Sequence, residues 1–245
     1  MSTFLAVRLR RLWRLGGLLA LAALMGGCAT ATNPQDPFEP FNRGMMRFND
    51  DLDTAILKPV ATGYRDAVPR PVRAGVGNFF GNLSDVWSTV NSALQLKVPQ
   101  AGEMALRVGV NTVFGLAGLV DVASEMGLER HSEDFGQTLA RWGVPAGPYV
   151  VLPVFGPSTV RDAVTTLTVD RQADLVRQID PTGARNVAYG LRVVDTRANL
   201  LRVSSVLDEV ALDRYTFTRD AYLQRRRALV NAPPPDAEPD PTKEP

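Results

Sequence analysis

The sequence predicts a mainly α-helical fold, a single domain with few or no strands. Apolar residues recur at steps of three and four along most of the chain, and no convincing strand pattern appears outside Tyr149–Leu152. Two long uncharged passages are punctuated by glycine and proline, which marks apolar irregular backbone.

The ends of the chain are distinct from its middle. Residues 1–27 contain Arg8, Arg10, Arg11 and Arg14 without an acid, then an apolar run over 15–25 that is too short to cross a bilayer, the pattern of an export signal. Cys28 is the only cysteine, which excludes an intrachain disulfide. Its place after Gly26 and Gly27 resembles a bacterial lipobox, though Met25 and Gly26 are atypical there, and this implies diacylglyceryl and N-acyl groups on Cys28. Each buried methylene of such chains contributes about 0.8 kcal/mol, so several chains anchor a protein firmly. Ala29, in place of a retaining aspartate, points to the outer membrane, with the anchor on its periplasmic side. Residues 28–35 read as a tether, 36–230 as the helical domain, and 231–245 as a proline-rich acidic tail expected to be disordered. Without the leader the chain has 23 basic and 26 acidic residues, which argues against a nucleic-acid partner.

Within the domain, Asp36, Pro37 and Glu39 suit the cap, first and third positions of a helix that should stop before Pro59. Its stripe is Phe38, Phe41, Met45, Phe48, Leu52 and Ala55; three phenylalanines there suit a core, and a lipid-facing stripe has the same spacing. After a connection over 64–71, Val72, Val76, Phe79 and Leu83 form a second helical face, and Ser84 can cap a further helix through Trp87, Val90 and Leu94. Ser158 can cap another through Val164 and Leu167. Asp180-Pro181 can open one carrying Ala184, Val187, Leu191, Val194, Ala198 and Leu201. A last helix over 209–230 should turn Leu212, Tyr215, Tyr222 and Leu229 inward. Arg225, Arg226 and Arg227 at its end suit the helix dipole as a solvated cap, or a lipid headgroup.

Residues 108–120 and 142–160 carry no charge. The first is too short to span a bilayer and fits a buried or re-entrant interfacial helix, with Gly109, Gly115 and Gly118 as its small-residue surface. The second holds Pro145, Pro148, Pro153 and Pro157, which delete backbone donors and forbid a membrane helix. Such backbone is tolerated at membrane depth only where protein buries it or where it lines a cavity. Chemistry is absent from the pattern: His131 is the sole histidine and lies in a charged run, no nucleophile elbow or phosphate loop occurs, and no metal set can be assembled.

Dispersed passages nevertheless carry a resemblance: DPFEPFNR at 36–43, NFFGNL at 78–83, VNTVFGLAGLVDVA at 110–123, and above all FGQTLARWGVPAGPYVVLPVFGPSTVRD at 135–162. The chain resembles the MlaA/VacJ family of outer-membrane phospholipid-transport lipoproteins, with a poor match over 169–186. The resemblance implies a ring-like helical domain embedded in one membrane leaflet. It implies a non-enzymatic channel that removes phospholipid from the outer leaflet. The implied partners are phospholipid, a trimeric porin, a periplasmic phospholipid carrier and, indirectly, an inner-membrane ABC lipid transporter; no cofactor is implied. The residues expected to face lipid or line the channel are Gly109, Val113, Phe114, Gly115, Leu116, Gly118, Trp142, Gly147, Pro148, Tyr149, Leu152 and Phe155. A structural lipoprotein that scaffolds porins or the envelope without conducting lipid is the alternative.

Overall fold

The computed structural model describes residues 36–210 and 212–231; the leader, Cys28, the tether and the tail beyond Asn231 lie outside them. The first helix, α1 (Glu39–Leu52), starts two residues later than the sequence suggests, and its cap residue Phe38 makes no side-chain cap bond. Asp36 is instead buried and spent on long-range contacts described below. Nor does the chain break before Pro59. A π-turn (Asp53–Leu57) leads straight into α2 (Lys58–Ala67), where the Lys58 N–H bonds back five residues to Asp53. The wider turn relieves the collision between a proline ring and the carbonyl four residues before it.

α2 takes the first half of the expected connection and α3 (Arg70–Leu94) its last two residues, leaving extended Val68 and Pro69 between them. α3 is one 25-residue helix. Ser84 starts no new helix there, because its hydroxyl donates to the Phe80 carbonyl four residues back. A short turn with Leu96 in the left-handed region returns the chain into α4 (Val98–Val113), antiparallel to α3. α4 stops at Val113, so the uncharged passage 108–120 is half helix and half loop. Then come α5 (Val122–Glu125) and α6 (Phe135–Arg141), capped by the Asp121 and Asp134 carboxylates.

The expected strand is present, paired into a small antiparallel hairpin: β1 (Tyr149–Leu152) and β2 (Gly156–Thr159), with Leu152 opposite Gly156. Thr159, not Ser158, caps α7 (Val160–Thr165), because its hydroxyl oxygen is the one that accepts from the Asp162 N–H. A π-turn (Thr166–Asp170), α8 (Arg171–Ala173) and a 3-10 turn (Leu175–Gln178) follow. α9 (Thr182–Val210) absorbs the start expected for the last helix, so α10 (Arg214–Asn231) begins later, where Asp213 accepts from the Tyr215 and Thr216 amides. Leu212 therefore falls in the connection and is fully exposed rather than inward.

The packing order closes on itself. α1 lies on β1, α2 on α9, α9 on α3, α3 on α4 and α6, α6 on α10, and α10 on β2, which returns to β1. Among the described residues no single apolar centre holds this ring of elements. One small cluster joins Ala61, Ala198 and Leu201; another joins Tyr149, Val151 and Tyr215.

Candidate functional site

Most water-soluble domains bury apolar side chains and expose polar ones; here the described residues do much of the reverse. The inward face of α3 is polar at helical spacing, with Asn82, Asp85, Ser88, Ser92 and Gln95 all buried. Gln100, Arg107 and Asn111 meet it from α4. Polar groups withdrawn from water must find partners. Lys97 Nζ lies 2.6 Å from Glu133 Oε1, and the Gln95 amide donates to Glu133 Oε2 at 2.9 Å and to Thr138 Oγ1 at 3.2 Å. The Thr138 hydroxyl in turn donates to Asn91 at 2.7 Å.

The second knot holds the loop after α4. Arg107 is wholly buried; its guanidinium contacts Asp121 at 2.9 and 3.1 Å and donates to the Leu128 carbonyl. Asn111 donates to Asp121 at 2.9 Å and accepts from the Ala123 N–H at 2.9 Å. Burial pushes the Asp121 carboxyl up, but the bonds from Ser124 and Asn111 and the Arg107 charge outweigh it and bring it down to about 2. Asp85 is the opposite case: burial dominates its ion pair with Arg130 and raises it.

Pinned at its base, this loop turns its apolar tip outward. Val113, Phe114 and Leu116 are 71%, 73% and 68% exposed. Three of the expected lipid-facing positions thus lie on the surface, and so does Gly109, whose missing Cβ would meet nothing within 4 Å. Gly115 and Gly118 do not face outward. A Cβ on Gly115 would lie 2.1 Å from the Val120 carbonyl oxygen, and Gly118, at φ +91°, presses on Asn82. Both serve the tightness of the turn, which also holds Leu116 and Ala117 in the left-handed region.

The second uncharged passage contributes Trp142, whose ring is largely exposed while its indole N–H donates to the Leu94 carbonyl at 3.2 Å. Gly147 has φ +70° and sits against Val160, with half-buried Pro148 beside it. In the hairpin Leu152 is half-buried, and Phe155 projects from the tip. Tyr149 is a correction: it is buried edge-on between Tyr215 and Tyr222, because strand alternation turns it toward α10.

Two side chains that the sequence did not single out position this hairpin. The Asn42 amide donates to the Tyr149 carbonyl at 3.1 Å and accepts from the Val151 N–H at 2.8 Å. Two turns along α1, Asn49 donates to the Leu152 carbonyl at 2.9 Å and accepts from the Val154 N–H at 2.8 Å. Together they supply partners to two carbonyls and two amides of the hairpin. Asp36 locks the same corner, accepting from Asn42 at 2.8 Å, from the Tyr215 hydroxyl, and from Arg219 at 3.3 Å. At the other end of α10, Arg226 grips Asp134 through both terminal nitrogens and Asp162 through Nε at 2.8 Å. Burial pushes these two carboxyls up, yet Arg226 holds both below the usual range.

No helix among the described residues is long and apolar enough to cross a membrane, and no His, Cys, Asp and Glu grouping there could hold a metal ion. A largely hydrogen-bonded polar interior beneath an apolar exterior, in a closed circuit of elements, defines a helical protein suited to contact with lipid. Comparison with known proteins places it. A family model described as MlaA lipoprotein matches residues 34–229, and the chain belongs to that family. It is 37% identical over 226 residues to the intermembrane phospholipid transport system lipoprotein MlaA of Escherichia coli (strain K12), covering 89% of each chain. The protein of the same description from Haemophilus influenzae is 34% identical over 229 residues, covering 89% of this chain and 90% of that one. A solved structure from work on the structural basis for maintenance of bacterial outer membrane lipid asymmetry superposes with a TM-score of 0.69 at 36% identity, covering 80% of this chain and 99% of its own.

Proposed function

We propose that this chain is the outer-membrane lipoprotein of an intermembrane phospholipid transport system, and that it lets phospholipid leave the outer leaflet and so maintains lipid asymmetry. The observation that carries this reading is the inverted distribution of side chains: a hydrogen-bonded polar interior next to exposed Phe114, Leu116, Trp142 and Phe155. A phospholipid crossing a bilayer needs a polar path for its headgroup beside an apolar one for its tails, because an unpaired buried charge is prohibitively costly. The apolar exterior lets the domain sit in one leaflet without spanning it, with acylated Cys28 as its periplasmic-side anchor. A trimeric porin as neighbour, a periplasmic carrier as acceptor and an inner-membrane ABC transporter beyond it complete the reading. The role needs no catalysis.

The test is labelling of surface phosphatidylethanolamine with a membrane-impermeant amine reagent. Cells lacking the protein are compared with cells restored by it or by Cys28→Ala. Labelling should rise on loss and return to normal only with the acylated form. Unchanged labelling, with the protein still copurifying with porin, would replace transport by scaffolding.

A further inference from the structure

A cleft of about 480 Å³ lies between the base of the hairpin and the last turns of α10. Pro148, Leu223 and Val230 give it apolar walls, and Arg161, Arg226, Arg227 and Asn231 give it a polar side. Among the described residues three cations line it and no carboxylate does.

Two of these cations are neutralised from behind. Arg226 is held by Asp134 and Asp162, and Arg161 Nε lies 2.9 Å from Asp162. Arg227 is different. Among the described residues it has no carboxylate in ion-pair distance, and its Nε donates to the Leu223 carbonyl of its own helix at 3.2 Å. That bond leaves both terminal nitrogens of the guanidinium fork available, the arrangement suited to phosphate oxygens. Arg225, two residues earlier, does not line the cleft.

The geometry points to this cleft as a seat for the phosphodiester of a phospholipid, with Arg227 as its cation and the first methylenes of the glycerol ester against Leu223 and Val230. The volume suits a headgroup and glycerol, while the acyl chains stay outside. An ammonium group finds no acid among the described lining residues, so the seat favours an anionic headgroup such as phosphatidylglycerol over phosphatidylethanolamine. The inference rests on the transport reading and adds to it a place and a headgroup preference.

The test uses the full-length acylated protein in mild detergent, with native mass spectrometry reading bound lipid. Chain-matched phosphatidylglycerol, phosphatidylethanolamine and diacylglycerol are compared, and inorganic phosphate serves as competitor. Phosphatidylglycerol should bind most tightly and diacylglycerol least. Losing one charge-assisted contact is expected to weaken phosphatidylglycerol binding about tenfold in Arg227→Gln. Arg225→Gln should stay within about twofold of the unaltered protein, as expected for an exposed charge outside the cleft. Equal affinities in the two variants, or equal affinity for phosphatidylglycerol and diacylglycerol, would overturn the assignment. So would complete displacement by millimolar phosphate, which would make this a site for free anion. Surface labelling on the same strains separates the two readings: if loss of the chain raises labelling while Arg227→Gln binds lipid normally, only this seat is wrong.

Discussion

Lys97→Met tests the claim that the interior is held by paired charge rather than by apolar packing. The Lys97 and Glu133 side chains are 3% and 7% exposed and 2.6 Å apart. At an effective dielectric of about 20 that separation corresponds to roughly 6 kcal/mol of gross attraction, most of it offset by the cost of removing both ions from water. Removing only the lysine leaves the carboxylate with the Gln95 amide and no counter-charge. The expected loss is about 3–5 kcal/mol. Glu133→Gln added to Lys97→Met removes the stranded charge while keeping an acceptor for Gln95, and should recover about 2 kcal/mol of that loss. Urea unfolding in detergent, followed by the fluorescence of Trp87 and Trp142, measures both. A single variant less than about 1 kcal/mol below the parent would refute the reasoning. So would a double variant no more stable than the sum of the two single losses.

Three further outcomes follow from the same geometry. Gly115→Ala should cost about 2–3 kcal/mol and open the loop 114–120 to limited proteolysis, because the new methyl meets the Val120 carbonyl and not a movable side chain. Asn42→Ala and Asn49→Ala should each cost about 1–3 kcal/mol by orphaning one donor and one acceptor of the hairpin. Faster amide exchange at Val151 should appear in the first and at Val154 in the second. Asp121 has its folded value depressed to about 2, so its contribution is complete above its ordinary value near 4 and is lost as pH falls through about 2. Acid titration of Asp121→Asn should therefore show a flatter fall in stability across that window than the parent shows.

Helix existence was legible because period is local: the apolar steps of α1, α3 and α9 needed no tertiary context. Which face of each helix is inside was not. Phe41 and Phe48 have the spacing of core residues and stand outside, while the polar series Asn82, Asp85, Ser88, Ser92 and Gln95 is buried. Two stripes on one helix are equivalent in sequence until the surrounding solvent is specified, and in lipid the polar stripe is the one to hide. Asp36 and Ser84 failed as caps for a related reason: a polar side chain near a helix start has several partners within reach, and the chosen one is settled by distant residues such as Tyr215 or by the preceding turn. At the lipid-facing candidates, composition located the exposed tips but could not separate Val113, Phe114 and Leu116 from Gly115 and Gly118, which shape the turn behind them, or from Tyr149, which packs inward on α10. Asn42 and Asn49 were readable in principle, as two amides seven apart on a helix interior, where asparagine is otherwise disfavoured.

That seven-residue interval acts as a ruler. Two turns of α1 advance about 10.5 Å, and the two hairpin carbonyls they meet, on Tyr149 and Leu152, are three residues apart on a strand, about 10 Å. Helix and strand are therefore commensurate over this length. Inserting or deleting a single residue between Asn42 and Asn49, or between Tyr149 and Leu152, would leave one clamp engaged and swing the other to the wrong side. Both intervals should be fixed in length wherever this corner is built, however freely the side chains between them vary.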